Sequence, residues 1–369
     1  MKKTMAMLLA LLLVAVMLPV TAMAEEVTTA EGLQNAVRAG GEVTLGDDIT
    51  ASITVPEGKT VTLNLNGKTL TNKEGNDTIT VALGGTLTIE GTGTVDNVSH
   101  GRAAVYNNGT VTINGGTFTR SREAGTADPD SANSNSWYTI CNHGVMTVNA
   151  GVTVENKGTF SSVFENGYQS YIGSTGERSN YVEGTNNAAP KLTINGGTFE
   201  GGKITIKNDD GATLEINNGT FTNTWNRVVF NANEATINGG TFNTTEEGAM
   251  AVDTIGGSGV NKGLLTIAGG TFNGKVTKDA GSTVTVSGGT FKKGVDESYI
   301  VDGKKLDANG NVVPETITII VPSEGGSTTT TPSTDNTKNP GTGANDFVGV
   351  AAALAVVSVL GAAVAVRKK

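Results

Sequence analysis

The strongest constraint on this chain is an eight-residue phrase that keeps returning. Val-Thr-Ile-Asn-Gly-Gly-Thr-Phe stands at 111–118, and close copies follow at 192–199, 214–221 (Leu-Glu-Ile-Asn-Asn-Gly-Thr-Phe), 235–242, 265–272 and 284–291. The closing phenylalanines are 81, 22, 21, 30 and 19 residues apart. A unit of about 20 residues cannot bury an apolar face alone, so it must stack on copies of itself. Inside the phrase, Val111 and Ile113 fall on one side of a strand and Thr112 on the other. Asn114-Gly115-Gly116 turns a corner, and Thr117-Phe118 starts another strand with Phe118 inward.

A third strand precedes each phrase and ends in Asn-x-Gly. It reads at 103–106 with Asn107-Asn108-Gly109 and recurs at 139–141 with Asn142-His143-Gly144, at 204–206 with Asn208, and at 228–230 with Asn231. Three short strands and three turns make one coil of a parallel β-helix, so equivalent residues should stack at the ~4.8 Å strand spacing. Phe118, Phe199, Phe221, Phe242, Phe272 and Phe291 are expected to form an interior aromatic stack. Ile113, Ile194, Ile216, Ile237, Ile267 and Val286 should form an aliphatic one, and Asn107, Asn142, Asn208 and Asn231 an amide ladder. Outward threonines (Thr112, Thr193, Thr236, Thr266, Thr285) form a polar row.

Earlier in the chain, residues 29–38 read as a short amphipathic helix with Leu33, Ala36 and Val37 on one face and Gly40-Gly41 as its stop. A stack of strands leaves an open apolar end, and this helix is expected to cap it. Strands follow at 42–45, 52–55, 60–65, 68–71, 78–82 and 86–89, with Val61, Leu63 and Leu65 inward. At the far end, 299–305 and 311–321 read as closing strands, and 323–338 as a Ser/Thr/Pro-rich disordered spacer.

The two ends carry sorting features. Lys2, Lys3, the apolar run 5–16 and Ala22-Met23-Ala24 before Glu25 form an export signal with its cleavage site. Residues 347–366 are twenty uncharged residues, enough to span a bilayer, followed by Arg367-Lys368-Lys369. Asn339-Pro340-Gly341-Thr342-Gly343 precedes them. Setting both ends aside, residues 25–342 hold 21 Lys and Arg against 34 Asp and Glu, a net −13. No basic patch points to nucleic acid. The single cysteine, Cys141, excludes an intrachain disulfide and a Cys-based zinc site.

Together, the repeated phrase, the Asn-x-Gly turns and the N-terminal helix resemble the right-handed parallel β-helix (pectate-lyase-like) repeats of Gram-positive surface proteins, over residues 27–310. The resemblance implies an all-β, single-stranded, three-strand-coil solenoid. Its domains are a signal peptide (1–24), the β-helix (25–321, with caps at 27–40 and 292–321), a linker (322–338) and a sorting region (339–369). The pentapeptide, apolar span and basic tail resemble a cell-wall sorting signal, here an Asn-Pro-x-Thr-Gly variant of the usual Leu-Pro-x-Thr-Gly. By that resemblance a sortase attacks the Thr342–Gly343 bond, with Asn339 and Pro340 read as recognition residues, and joins the threonine to peptidoglycan. The bare alternative is a plain C-terminal membrane anchor.

Two segments, 119–136 and 161–190, break the strand grammar and are expected to loop out, as insertions on a binding face do. Trp137, Tyr138, Tyr168, Tyr171 and Tyr181 gather there, offering rings for sugar stacking, and Arg122 and Arg178 could pair with carboxylate or sulfate. Uronate-chain hydrolases of this fold use paired aspartates and a His-Gly strip. Here His100-Gly101 and His143-Gly144 precede Asp209-Asp210-Gly211, the reverse of that order, and the repeat grammar places His143 and Asp209 at the same turn. Asp253, Asp279 and Asp296 read as scattered turn residues. No catalytic residue, metal ligand or cofactor is assigned. The expectation is an exported, wall-anchored β-helix, adhesin-like, binding glycans or host or microbial surface proteins. The alternatives are a polysaccharide lyase or glycoside hydrolase on the same scaffold, and a purely structural spacer.

Overall fold

The structure is a computed structural model that describes residues 25–121, 137–156, 158, 162–167, 189–209, 211–256 and 261–315. The export signal up to Ala24, the linker, the 339–343 pentapeptide and the 347–366 span lie outside the described residues, as do Arg122, Tyr168, Tyr171, Arg178 and Tyr181. Among the described residues, no helix is long and apolar enough to cross a membrane.

The chain winds through three sheets of parallel strands, here numbered I, II and III, with eleven, ten and nine strands. One coil runs Val105–Asn107 in sheet III, Thr110–Ile113 in sheet I and Gly116–Thr119 in sheet II. The next runs Ile140–Asn142, Val145–Val148 and Val152–Asn156, each pairing in parallel with its counterpart. This is the parallel β-helix of three-strand coils that the repeat requires.

The Asn-Gly-Gly corner explains itself atom by atom. At the first glycine, a Cβ on Gly239 would sit 2.5 Å from the Asn217 carbonyl of the coil below, and one on Gly288 2.1 Å from that of Ala268. The second glycine is needed for its backbone: φ is +101° at Gly240 and +109° at Gly289, a region that L side chains avoid. One glycine permits close stacking and the other permits the turn.

Inside the coil the columns are continuous. The aliphatic one runs Val43, Leu63, Ile89, Ile113, Val148, Ile194, Ile216, Ile237, Ile267, Val286, adding Val43, Leu63, Ile89 and Val148 to the predicted members. The aromatic column departs from expectation at its start. Phe199, Phe221, Phe242, Phe272 and Phe291 stack at 4.8–4.9 Å with planes within 10°. Phe118 is buried but stands apart, because Val154 occupies the rung between it and Phe199. The 81-residue gap hides a whole coil that lacks the phrase's phenylalanine.

The coil after it corrects the reading of 161–190 as an excursion throughout. Phe164–Asn166 is a strand of sheet III, paired with Ile140–Asn142 on one side and Ile204–Asn208 on the other. Asn166 therefore belongs to the amide ladder. In it, Asn107 donates to Asn142, Asn142 to Asn166, Asn166 to Asn208 and Asn208 to Asn231, each at 2.7–2.8 Å. A second amide ladder, not anticipated, runs along the exposed corner between sheets I and II. There Asn149, Asn195, Asn217 and Asn238 each donate to the rung before, beginning with Asn114, at 2.7–2.9 Å.

Both ends are closed. The helix Ala30–Ala39 is started by the Thr29 hydroxyl, which accepts from the Gly32 amide, and buries Leu33 and Val37 against Ile53–Val55 and Gly41–Leu45. It is joined by a strand, Glu25–Val27, that extends sheet I. At the other end a 3-10 turn, Glu297–Tyr299, takes the start of the first strand read from sequence, and an antiparallel pair, Lys304–Leu306 with Val312–Pro314, follows; residues 316–321 of the second lie outside the described residues. The Asp296 carboxylate accepts from the Ser298 amide and diverts the start of that first strand into the turn. Ile300 bridges Val286 and Asn311 bridges Thr290, so the last strands of sheets I and II are covered.

Candidate functional site

Sheets I and II bury one side of each strand, in the alternation seen at Thr110–Ile113 or Thr86–Glu90. Sheet III does not. Ile140–Asn142 and Phe164–Asn166 are buried at every position, and Ile204–Asn208 at all but one. Residues that point away from the coil interior in this sheet are therefore covered too. The outward column runs Tyr106, Cys141, Glu165, Lys207, Phe230, Asp253, Thr277. It holds the densest set of reactive side chains among the described residues.

Trp137 and Tyr138 lie on this face. Tyr138 is 5% exposed and packs on Ala103 and Cys141, with Trp137 and Tyr106 half-buried beside it. The Trp137 and Tyr138 rings meet edge to face, 5.6 Å apart. The segment is tied down by Arg120, a fully buried guanidinium that donates to the Trp137 carbonyl at 2.5 Å and to the Ser99 carbonyl at 2.9 Å. Arg120 thus clamps residue 137 to the coil from the other side of the 122–136 insertion. A buried charge is costly to desolvate, and here each terminal nitrogen of the guanidinium has a backbone carbonyl to donate to.

Around Tyr138 stand four charged or ionisable partners. Lys207 Nζ donates to the Tyr138 hydroxyl at 3.4 Å, lies 5.8 Å from its ring centre, and pairs with the Asp209 carboxylate. His143 Nε2 is 3.9 Å from Glu165 Oε2 and meets the Tyr106 ring edge-on at 5.1 Å. Burial first, then the Glu165 and Asp209 charges, push the Tyr138 phenol well above its ordinary value. Burial and the Glu165 charge do the same to the Cys141 thiol, which is therefore a poor nucleophile. Glu165 and Asp209 are 2% and 0% exposed; only Lys207 and His143 reach the edge of the cluster.

Of the residues expected to form an aromatic platform, then, Trp137 and Tyr138 come together over sheet III, with the Tyr138 ring covered. His143 and Asp209 do share one turn, each following a rung of the buried amide ladder. Asp253 is not a turn residue: it lies in the strand Met250–Thr254, paired with Arg227 at 2.6 Å and accepting from Thr277 at 2.8 Å. Asp279 and Asp296 are turn residues, each held below the usual carboxylate range, first of all by the hydroxyls of Ser282 and Ser298. Glu165, Lys207 and Arg120 were missed by sequence reasoning. The signal for Glu165 was present, since Phe164-Glu165-Asn166-Gly167 is one more strand ending in the Asn-Gly turn. Among the described residues, no group of three or more His, Cys, Asp or Glu side chains could hold a metal ion.

Neither a protein-family model nor a solved structure matches the chain. Among curated proteins it is similar to a putative surface-exposed virulence protein, BigA, of Salmonella typhimurium, at 29% identity over 185 residues. That stretch covers 47% of this chain and 9% of the much longer relative.

Proposed function

We propose that this chain is a surface-displayed β-helix that binds glycans or surface proteins of a host or another microbe without chemically changing them. One observation carries the reading: the segments that interrupt the repeat adjoin strands of sheet III, Ile140–Asn142 and Phe164–Asn166, while sheets I and II present threonine and asparagine rows that serve the stack. A rigid solenoid with its irregular segments leaving beside one sheet suits a display scaffold. The relative described as surface-exposed supports the location, and the export signal ending at Ala24 fits it. The coil is taken as right-handed, as parallel crossovers are in nearly all cases. Attachment is read as sortase joining Thr342 to the peptidoglycan of a Gram-positive cell, after the 347–366 span has held the chain in the membrane.

The second reading, an enzyme acting on polysaccharide, draws on Tyr138, Glu165, Lys207 and His143, which could exchange protons with a sugar. The binding reading is favoured because Tyr138 and Glu165 are only 5% and 2% exposed. Incubating the secreted chain with acidic and neutral glycans separates the two. Retention without cleavage is expected; new reducing ends or unsaturated products would overturn the binding reading. For attachment, Thr342→Ala should move the protein from the wall fraction to the membrane fraction, and an unchanged wall fraction would refute it.

A further inference from the structure

The cluster on sheet III has a chemistry suited to closure. Lys207 and Asp209 are two residues apart at the end of the strand Ile204–Asn208, and their side chains are in contact. Asp209 is fully buried, and the Lys207 side chain is 14% exposed. Glu165, one rung below Lys207 in register, is also buried, and its Oε1 has no hydrogen-bond partner. The Tyr138 hydroxyl accepts from Lys207 and lies against the Glu165 carboxyl. An amine, a carboxyl and a second carboxyl with an unused oxygen are thus held together where water is excluded.

We propose that Lys207 and Asp209 become joined by an amide bond, formed by the folded chain itself, with Glu165 as the proton carrier. The ion pair already contains the atoms required, since an ammonium and a carboxylate carry the same protons as an amine and a carboxylic acid. Lys207 Nζ passes a proton through the Tyr138 hydroxyl to Glu165, leaving a lone pair that attacks Asp209 Cγ. The Nζ–Cγ bond forms, Nζ gives up a second proton, one Cγ–O bond breaks, and the departing oxygen leaves as water carrying that proton and the one returned by Glu165. No oxidant, metal or cofactor takes part. In water the balance favours hydrolysis, but a closed site removes the leaving water and keeps attacking water out. The product also replaces a buried ion pair, whose desolvation is costly, by one neutral amide.

The test is a tryptic digest of the full-length secreted chain read by mass spectrometry. Free Lys207 gives cleavage into 204–207 and 208–227, whereas amide-linked Lys207 blocks the cut. The expected result is one fragment, 204–227, lighter than its sequence by a single water. A succinimide at Asp210-Gly211 would lose the same water yet leave Lys207 open to trypsin, so the two signals together identify the bond. Cleavage at Lys207 with no mass deficit overturns the proposal. Glu165→Gln, confirmed as folded by a cooperative melt, should restore cleavage. If it retains the linked fragment, Glu165 is not the proton carrier. The native digest decides the bond itself even if that variant does not fold.

Discussion

The two amide ladders run along the same solenoid with the same rung-to-rung geometry and differ almost only in their access to water. Asn107, Asn142, Asn166, Asn208 and Asn231 are all buried to completion; Asn114, Asn149, Asn195, Asn217 and Asn238 stand at an outer corner. In both, each amide donates to its neighbour at 2.7–2.9 Å. The buried amides have a second duty. Their other N–H reaches the carbonyls of Val145, Lys191, Thr213, Glu234 and Leu264, so each rung also pins the turn that leads into sheet I. Hydrogen bonds contribute little net when water is an equal partner, and leaving one unmade is costly where water is absent. The inner ladder specifies the coil; the outer one mostly decorates it.

Breaking a rung of each is the direct way to test that difference. Asn208→Ala removes the acceptor used by Asn166 and strands both the Glu234 carbonyl and the Asn231 side-chain oxygen. At about 1–3 kcal/mol for each buried group left without a partner, the loss should be roughly 3 kcal/mol or more. Urea unfolding should show it as a lowered midpoint with an unchanged slope. A loss below about 0.5 kcal/mol would mean that water enters this turn and the ladders are equivalent.

The same contrast separates the faces of sheets I and III, and pH can sharpen it. Cys141 and Tyr138 keep their protons to a higher pH in the folded protein than in the unfolded chain. The unfolded state therefore ionises first. Their contribution is fully present below the unfolded thiol value, about 8.5, and is lost as pH rises through that value and the phenol's, about 10. Stability should fall by up to about 1.4 kcal/mol per pH unit per group in that range. Urea midpoints from about pH 7 to 10.5 measure it. Cys141→Ala should flatten the first part of the alkaline limb. An equally steep limb in that variant would show that the covered face of sheet III is not its origin.

This asymmetry also sets what could be read from the sequence. Inward positions such as Ile216 and Phe221 were legible because the coil interior admits few residue types and the strand period is two. The Phe164–Asn166 strand was harder to see, because residues 168–190 separate its Asn166-Gly167 turn from the next strand of its coil, Lys191–Ile194, so the usual spacing to the phrase did not mark it. Glu165 and Lys207 stayed hidden for another reason. Alternation says which side of a strand a residue faces, not whether something lies over that side. Only the Arg120 clamp, which brings Trp137 and Tyr138 onto sheet III, turns an outward glutamate into a buried one. Tyr138, read as a ring for a sugar, is 5% exposed and has its hydroxyl against Lys207.

The smallest expected effect is the most informative control. Asn217→Ala removes a rung of the outer ladder, taking the acceptor from Asn238 and the donor to Asn195. Both neighbours face solvent, so water can replace what is lost, and the backbone bond from the Asn217 amide to the Ile194 carbonyl remains. The change should therefore stay within about 0.5–1 kcal/mol, the net value of one exposed hydrogen bond. Its coupling to Asn195, which shares one of the lost bonds, should stay below about 0.5 kcal/mol, because water takes the place of that bond. A double-mutant cycle on Asn195 and Asn217 measures this. A coupling above about 1 kcal/mol would show the outer ladder acting as a cooperative chain, as the inner one does, and would trace the difference between them to the second carbonyl contact rather than to water.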